Sequence, residues 1–75
     1  MGSMTVPKGI GVEIRIKRAR NGLSQGEASK VIGTNQSYLS QIERGRIVPT
    51  EEEMRAIKVF LKMSEGAIRE YLAAI

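Results

Sequence analysis

The sequence predicts an all-α protein built from five short helices. Three observations carry that reading. Apolar residues recur at spacings of three and four, the period of a helix with one buried face. Residues able to cap a helix N-terminus (Ser24, Asn35, Thr50 and Ser64) open four of those runs, and Gly22, Gly33 and Gly45 close three of them. No stretch alternates apolar and polar residues as a half-buried strand does.

Residues 1–4, Met-Gly-Ser-Met, have the form of an expression scar, and Thr5 to Gly9, with a proline and a glycine and no periodicity, read as a lead-in. The division is therefore 1–6 as scar and disordered lead-in, with the folded domain over 7–75. The first helix spans about 10–20. Ile10 and Ile14 share one stripe, while Val12, Ile16 and Ala19 form a second on the opposite side, more apolar surface than one buried face requires. Asn21 and Gly22 end it. Ser24 opens the second helix, with Glu27 three residues later completing a capping box, and Ala28, Val31 and Ile32 face inward. Gly26 is out of place there, since glycine costs a helix up to about 1 kcal/mol relative to alanine.

Gly33 stops the second helix, Thr34 turns the chain and Asn35 caps the third, so only three residues join the two. Gly45 ends the third helix, and Pro49 biases Val48 towards extended geometry. Thr50 with Glu53 caps the fourth, whose first turn carries Glu51, Glu52 and Glu53 against the helix dipole and whose buried stripe is Met54, Ile57, Phe60 and Leu61. Ser64 caps the fifth, with Ala67, Ile68, Tyr71, Leu72 and Ile75 as its apolar face.

The third helix carries the information. At about 100° per residue, Gln36, Ser37, Ser40, Gln41 and Arg44 occupy an arc of roughly 0–140°, and Tyr38, Leu39 and Ile42 one of roughly 200–300°. One side must be buried. The other holds amides and hydroxyls that can hydrogen-bond base edges, a glutamine amide matching adenine N6 and N7 in particular. On an arbitrary helix the same residues would be ordinary solvated polar groups.

Composition narrows the chemistry. In 75 residues there is no cysteine and no histidine, so disulfides, the usual zinc ligands and the commonest general base are all missing. No paired-acid or phosphate-loop motif takes their place, and the reading is a non-enzymatic protein without metal or cofactor. No apolar run reaches the ~20 residues of a membrane span, and no signal-peptide core is present, which places the protein in the cytoplasm. The net charge of +4 divides unevenly: residues 1–48 hold eight Lys/Arg against three Glu, and 49–75 hold four against five. A basic front suits a polyanion, and suits solubility equally.

Leu23-Ser24-Gln25, Gly33, the run from Ser37 to Gly45 (SYLSQIERG) and Pro49 resemble the Cro/phage-repressor (XRE-type) helix-turn-helix family. The resemblance is gapless from about Ile10 to Pro49 and weaker through Leu72. It implies the λ-repressor-like fold, with the second and third helices as the helix-turn-helix. It also implies a DNA-binding transcriptional regulator that binds a pseudo-palindromic operator as a homodimer, with the third helix in the major groove. Gln36, Ser37, Ser40 and Gln41 are then the base-reading set. Gln25 matches a position that contacts a DNA phosphate and braces the first reading residue; Arg44 and Arg46, flanking Gly45, are the candidate phosphate clamps. Arg18 and Glu43 fall where the family has a partly buried ion pair between the first and third helices. For Lys8, Arg15, Lys17 and Lys30 a solvated face is at least as good a reading. The family commonly pairs through its C-terminal part, which singles out Ile68, Tyr71, Leu72 and Ile75 as the dimer contact, although the last helix could instead cover Val12 and Ile16 within one chain.

The expected function is a sequence-specific repressor of double-stranded DNA. Two alternatives stand beside it: an antitoxin-like or adaptor module that holds a partner protein, and an architectural protein without sequence preference.

Overall fold

In a computed structural model the chain is described over residues 9–75, so the scar, most of the lead-in and Lys8 lie outside the described residues. Five helices follow one another: α1 (Gly9–Asn21), α2 (Gln25–Ile32), α3 (Gln36–Glu43), α4 (Glu51–Lys62) and α5 (Glu65–Ala74). No strand occurs among the described residues. Gly9 belongs to the first helix rather than to the lead-in.

Local chemistry sets the boundaries. Ser24 Oγ accepts from the Glu27 N–H at 3.0 Å while the Glu27 carboxylate accepts from the Ser24 N–H at 3.0 Å, a complete capping box. Thr50 and Glu53 repeat it at α4. Single caps serve the other two, Asn35 Oδ1 accepting from Tyr38 N and Ser64 Oγ from Ala67 N. Between α2 and α3 the chain reverses at Gly33, whose φ of 93° is left-handed and open to glycine without strain. The N–H groups of Gly33 and Thr34 both donate to the Ser29 carbonyl there, satisfying the end of α2.

The core is one cluster: Ile14 from α1, Leu23 from the first turn, Ala28 and Ile32 from α2, Leu39 and Ile42 from α3, Ile57 and Phe60 from α4, and Ile68 from α5. Helix α2 packs against α3, α4 and α5, and α1 packs against α3 and α4. Met54, Leu61, Val31 and Ala67, expected inside, are half-buried at its edge.

The two apolar faces of the terminal helices resolve differently from expectation. Ile68 is fully buried in its own chain's core, so it cannot also meet a second copy; the dimer contact expected of it is withdrawn. Leu72 is half-buried against that core, whereas Tyr71 and Ile75 stay exposed. Nor does α5 cover the outer stripe of α1. It docks on α2, and Val12 and Ile16 remain 40% and 48% exposed.

Long polar side chains lock the helix ends together. Lys17, expected on a solvated face, donates from Nζ to the Met63 carbonyl at the end of α4. Arg69 on α5 donates to the Asn21 carbonyl at 3.1 Å, and both pairs place a cation at a helix C-terminus, where the dipole favours it. Tyr38 on α3 donates its hydroxyl to Glu53 Oε1 at 2.8 Å, the oxygen that also accepts from the Thr50 N–H. The Thr50 N–H first, and the Tyr38 hydroxyl after it, hold the Glu53 carboxyl below its ordinary range, and the same carboxylate pushes the Tyr38 phenol up.

Gly11, inside α1, lies directly against the backbone at the end of α3. A Cβ there would sit 2.5 Å from the Ile42 carbonyl oxygen and 2.9 Å from the Glu43 Cα. Those atoms are backbone and cannot turn aside, so only glycine lets α1 lie against the end of α3. Gly11→Ala gains helix propensity of up to about 1 kcal/mol. Overpacking costs about 1–3 kcal/mol and wins. Urea unfolding is expected to show net destabilisation of about 1–2 kcal/mol for Gly11→Ala. Gly66→Ala in α5, where a Cβ meets nothing within 4 Å, should instead be neutral or stabilising.

Candidate nucleic-acid interface

The buried side of α3 is fixed by Leu39 and Ile42, which are almost wholly inside the core. That choice turns the opposite arc outward. Gln36, Ser37 and Arg44 are exposed, and Ser40 and Gln41 are half-exposed beside them. These five, joined by Gln25 from the start of α2, line one open hollow of about 550 Å³. Every residue that lines it is polar or charged. Arg46 does not line it; it stands exposed on the loop beyond Gly45.

Gln25 reaches the hollow because the α2 cap and the turn at Gly33 bring the first turn of α2 beside the first turn of α3. Its place there is held by Glu43, whose Oε1 accepts from Gln25 Nε2 at 3.0 Å. The same carboxylate takes a two-pronged contact from Arg18, Nε to Oε2 at 2.7 Å and Nη2 to Oε1 at 2.9 Å. Arg18 Nη1 donates further to the Leu23 carbonyl at 3.2 Å. The Glu43 side chain is 4% exposed and the Arg18 side chain 20%, so water screens the pair little. A shielded carboxylate with three donors joins α1, α2 and α3 at one point.

Gly26 lies beside the hollow. A Cβ there would meet Gln36 Oε1 at 3.5 Å, an ordinary van der Waals contact, so the first turn of α2 and the first residue of α3 touch without excluding a side chain. The propensity lost at Gly26 is smaller in a first turn than in a helix interior, and nothing in the structure requires glycine there.

An arrangement of this kind binds an elongated polyanion whose edges carry hydrogen-bonding groups: donors and acceptors sit on one convex helix, with a guanidinium at its C-terminal end. Among the described residues no cluster of acidic, cysteine or histidine side chains could hold a metal ion, and no helix is long and apolar enough to cross a membrane.

A capped helix, a three-residue turn and a second helix with its polar arc outward define a helix-turn-helix DNA-binding regulator. The chain belongs to the helix-turn-helix domain family, whose model matches residues 10–72. It is similar to the ImmF control region 10 kDa protein of Bacillus phage phi105, with 31% identity over 62 residues that span 83% of this chain and 69% of that protein. No solved structure matches it.

Two features escaped sequence reasoning. Gly11 gave a signal, a glycine inside a helical run with no turn to serve, which points to close backbone approach. The Gln25–Glu43 bond gave none, since it joins residues 18 apart through a fold-dependent contact.

The network yields a stability test. Arg18→Met leaves Glu43 shielded with only the Gln25 amide as partner, and chemical denaturation is expected to show a loss of about 1–3 kcal/mol. Replacing Arg18 and Glu43 together by apolar residues should recover much of it. A single variant as stable as wild type would show that the carboxylate is reached by water after all.

Proposed function

We propose that this protein is a transcriptional repressor that binds a pseudo-palindromic operator as a homodimer, one α3 helix entering the major groove of each half-site. The gathering of Gln25, Gln36, Ser37, Ser40, Gln41 and Arg44 around a single polar hollow on the outward arc of α3 carries this reading. Gln36, Ser37, Ser40 and Gln41 contact base edges, and the two glutamine amides contribute most because each can pair bidentately with one adenine. Gln25, Arg44 and Arg46 hold phosphates, Gln25 at the N-terminal end of α2 where free N–H groups face an anion. Arg46 grips the backbone from outside the hollow. The phage relative is described as a control-region protein, which agrees with a regulator of a phage or mobile element.

Base and phosphate roles separate experimentally. Gln36→Ala and Gln41→Ala should each cost about 1–3 kcal/mol on the selected operator and relax preference at a defined base pair. They should change binding to scrambled DNA little. Arg44→Ala and Arg46→Ala should weaken all sequences about equally and lower the salt slope by roughly 1 each. Fluorescence titrations across a salt series measure both, and equal losses on operator and scrambled DNA for the glutamine variants would remove base reading.

One α3 helix covers a few base pairs, so two half-sites about 34 Å apart are needed for useful specificity. The surface assigned to dimerisation is the part of α5 that its own core leaves uncovered, Tyr71 and Ile75 with the rim of Leu72. Leu72 also packs inside its own chain, so the clean test is Tyr71→Glu combined with Ile75→Glu. Sedimentation is expected to show a monomer that still melts cooperatively and binds operator at least about tenfold more weakly, a loss of about 1.4 kcal/mol or more. A double variant that sediments and binds as wild type would move the dimer contact elsewhere.

A further inference from the structure

The outer face of α1 serves neither the core nor the hollow on α3. Val12, Ile16 and Ala19 follow one another at helical spacing along it and remain exposed, on the side of α1 away from Ile10 and Ile14. Single exposed apolar residues need no explanation, but three in a row on a helix that has already buried one apolar face form a stripe. Ile16 is its crest, with a shallow hollow on each flank, one lined by Val12, Arg15, Arg18 and Ala19 and the other by Glu13, Lys17, Arg20 and Leu61. Neither hollow shares a residue with the one on α3.

The charge around the stripe selects its occupant. Arg18 is answered by Glu43, and Lys17 is tied to the Met63 carbonyl. Arg15 and Arg20 stand exposed on opposite flanks, and Glu13 is the sole acid that borders either hollow. A second copy of the chain fits poorly. Two α1 helices packed antiparallel about Ile16 can pair Glu13 with Arg20 on one flank, but on the other they bring Arg15 against its own twin and the partner's Arg18, and like charges opposed in this way repel. A helix with an apolar stripe bordered by carboxylates meets every feature of the face: it covers Val12 and Ile16, seats a side chain in each hollow and neutralises both arginines.

We propose that the outer face of α1 docks a short, acid-flanked amphipathic helix of a partner protein, and that it does so while α3 is on DNA. The stripe is narrow, so the contact is a weak and transient one, held by two or three apolar anchors and oriented by charge.

The test uses a synthetic helical peptide with leucines at positions i, i+4 and i+7 flanked by glutamates, and a second peptide with lysines in place of the glutamates. The full chain is titrated with each, free and bound to DNA, and followed by amide chemical shifts. The glutamate peptide is expected to bind saturably and to shift residues around Val12, Arg15, Ile16 and Ala19, equally with DNA present. Ile16→Gln and the pair Arg15→Gln with Arg20→Gln should each weaken it about tenfold or more, and both should melt as wild type and keep the salt slope of DNA binding because these side chains lie outside core and hollow. Equal binding of the lysine peptide, shifts confined to α3 or α5, or no saturation by either peptide would overturn the proposal. So would a change in sedimentation on Ile16→Gln, which would make the stripe a contact between copies, or a reduced salt slope for DNA in the arginine pair. Since the peptide is read directly on the free protein, the outcome stands apart from whether α3 reads an operator.

Discussion

The carboxylate of Glu43 is the point on which the arrangement of α1, α2 and α3 depends. It sits at the last residue of α3, nearly out of water, and draws a guanidinium from α1 and an amide from α2. Taking a carboxylate out of water is costly, and it is tolerable here because each oxygen has at least one donor aimed at it. The contribution is one of geometry more than of net stability. Apolar packing of Leu39 and Ile42 would hold α3 against the core at a range of rotations, whereas a carboxylate with three directional partners admits one. Fixing that rotation decides which residues of α3 face outward, and it simultaneously fixes where the Gln25 amide stands beside them.

Around that point the molecule divides its polar groups into two kinds of labour. Capping residues and long cations close the ends of helices: Ser24, Asn35, Thr50 and Ser64 at N-termini, Lys17 and Arg69 at carbonyl ends. Glu53 does this twice over, as the reciprocal partner of Thr50 and as the acceptor for Tyr38, so one carboxylate joins the start of α4 to α3. In a chain without cysteine, a small core is thereby supplemented through bonds that each satisfy a group the helix ends would otherwise leave open.

Element boundaries were legible in the sequence because capping is local. A hydroxyl three residues ahead of a glutamate, or a glycine after a helical run, acts over a single turn and needs no knowledge of the rest of the chain. The outward arc of α3 was legible for a similar reason, since Leu39 and Ile42 leave only one way to face it. What stayed hidden was any choice between two apolar faces. Ile68 shares its stripe with Tyr71 and Ile75, and periodicity cannot say that α2 will bury the first and leave the others out. The same holds on α1, where Ile14 is inside and Ile16 outside although either stripe could have served. Lys17 and Arg69 were equally unreadable: their acceptors lie 46 and 48 residues away, at distances only the assembled fold defines. Gly11 and Gly26 are the instructive pair. Gly26 looked like a weak helix position, yet an added Cβ there would meet the Gln36 amide only at ordinary contact distance, whereas at Gly11 it would collide with the backbone of α3.

The contact at Gly11 bears on how such a protein diversifies. Because α1 meets the end of α3 backbone to backbone at Gly11, no exchange of side chains at that contact could tilt α3 by degrees. There the scaffold offers descendants no graded route to a new target through reorientation. Novelty must come from the identities of the outward residues, which lie outside the core and can be exchanged without disturbing it. A lineage built on this frame would drift freely along one arc of α3 while Gly11 and the residues it touches stayed still, and comparison of close relatives would show change and stasis divided along that line.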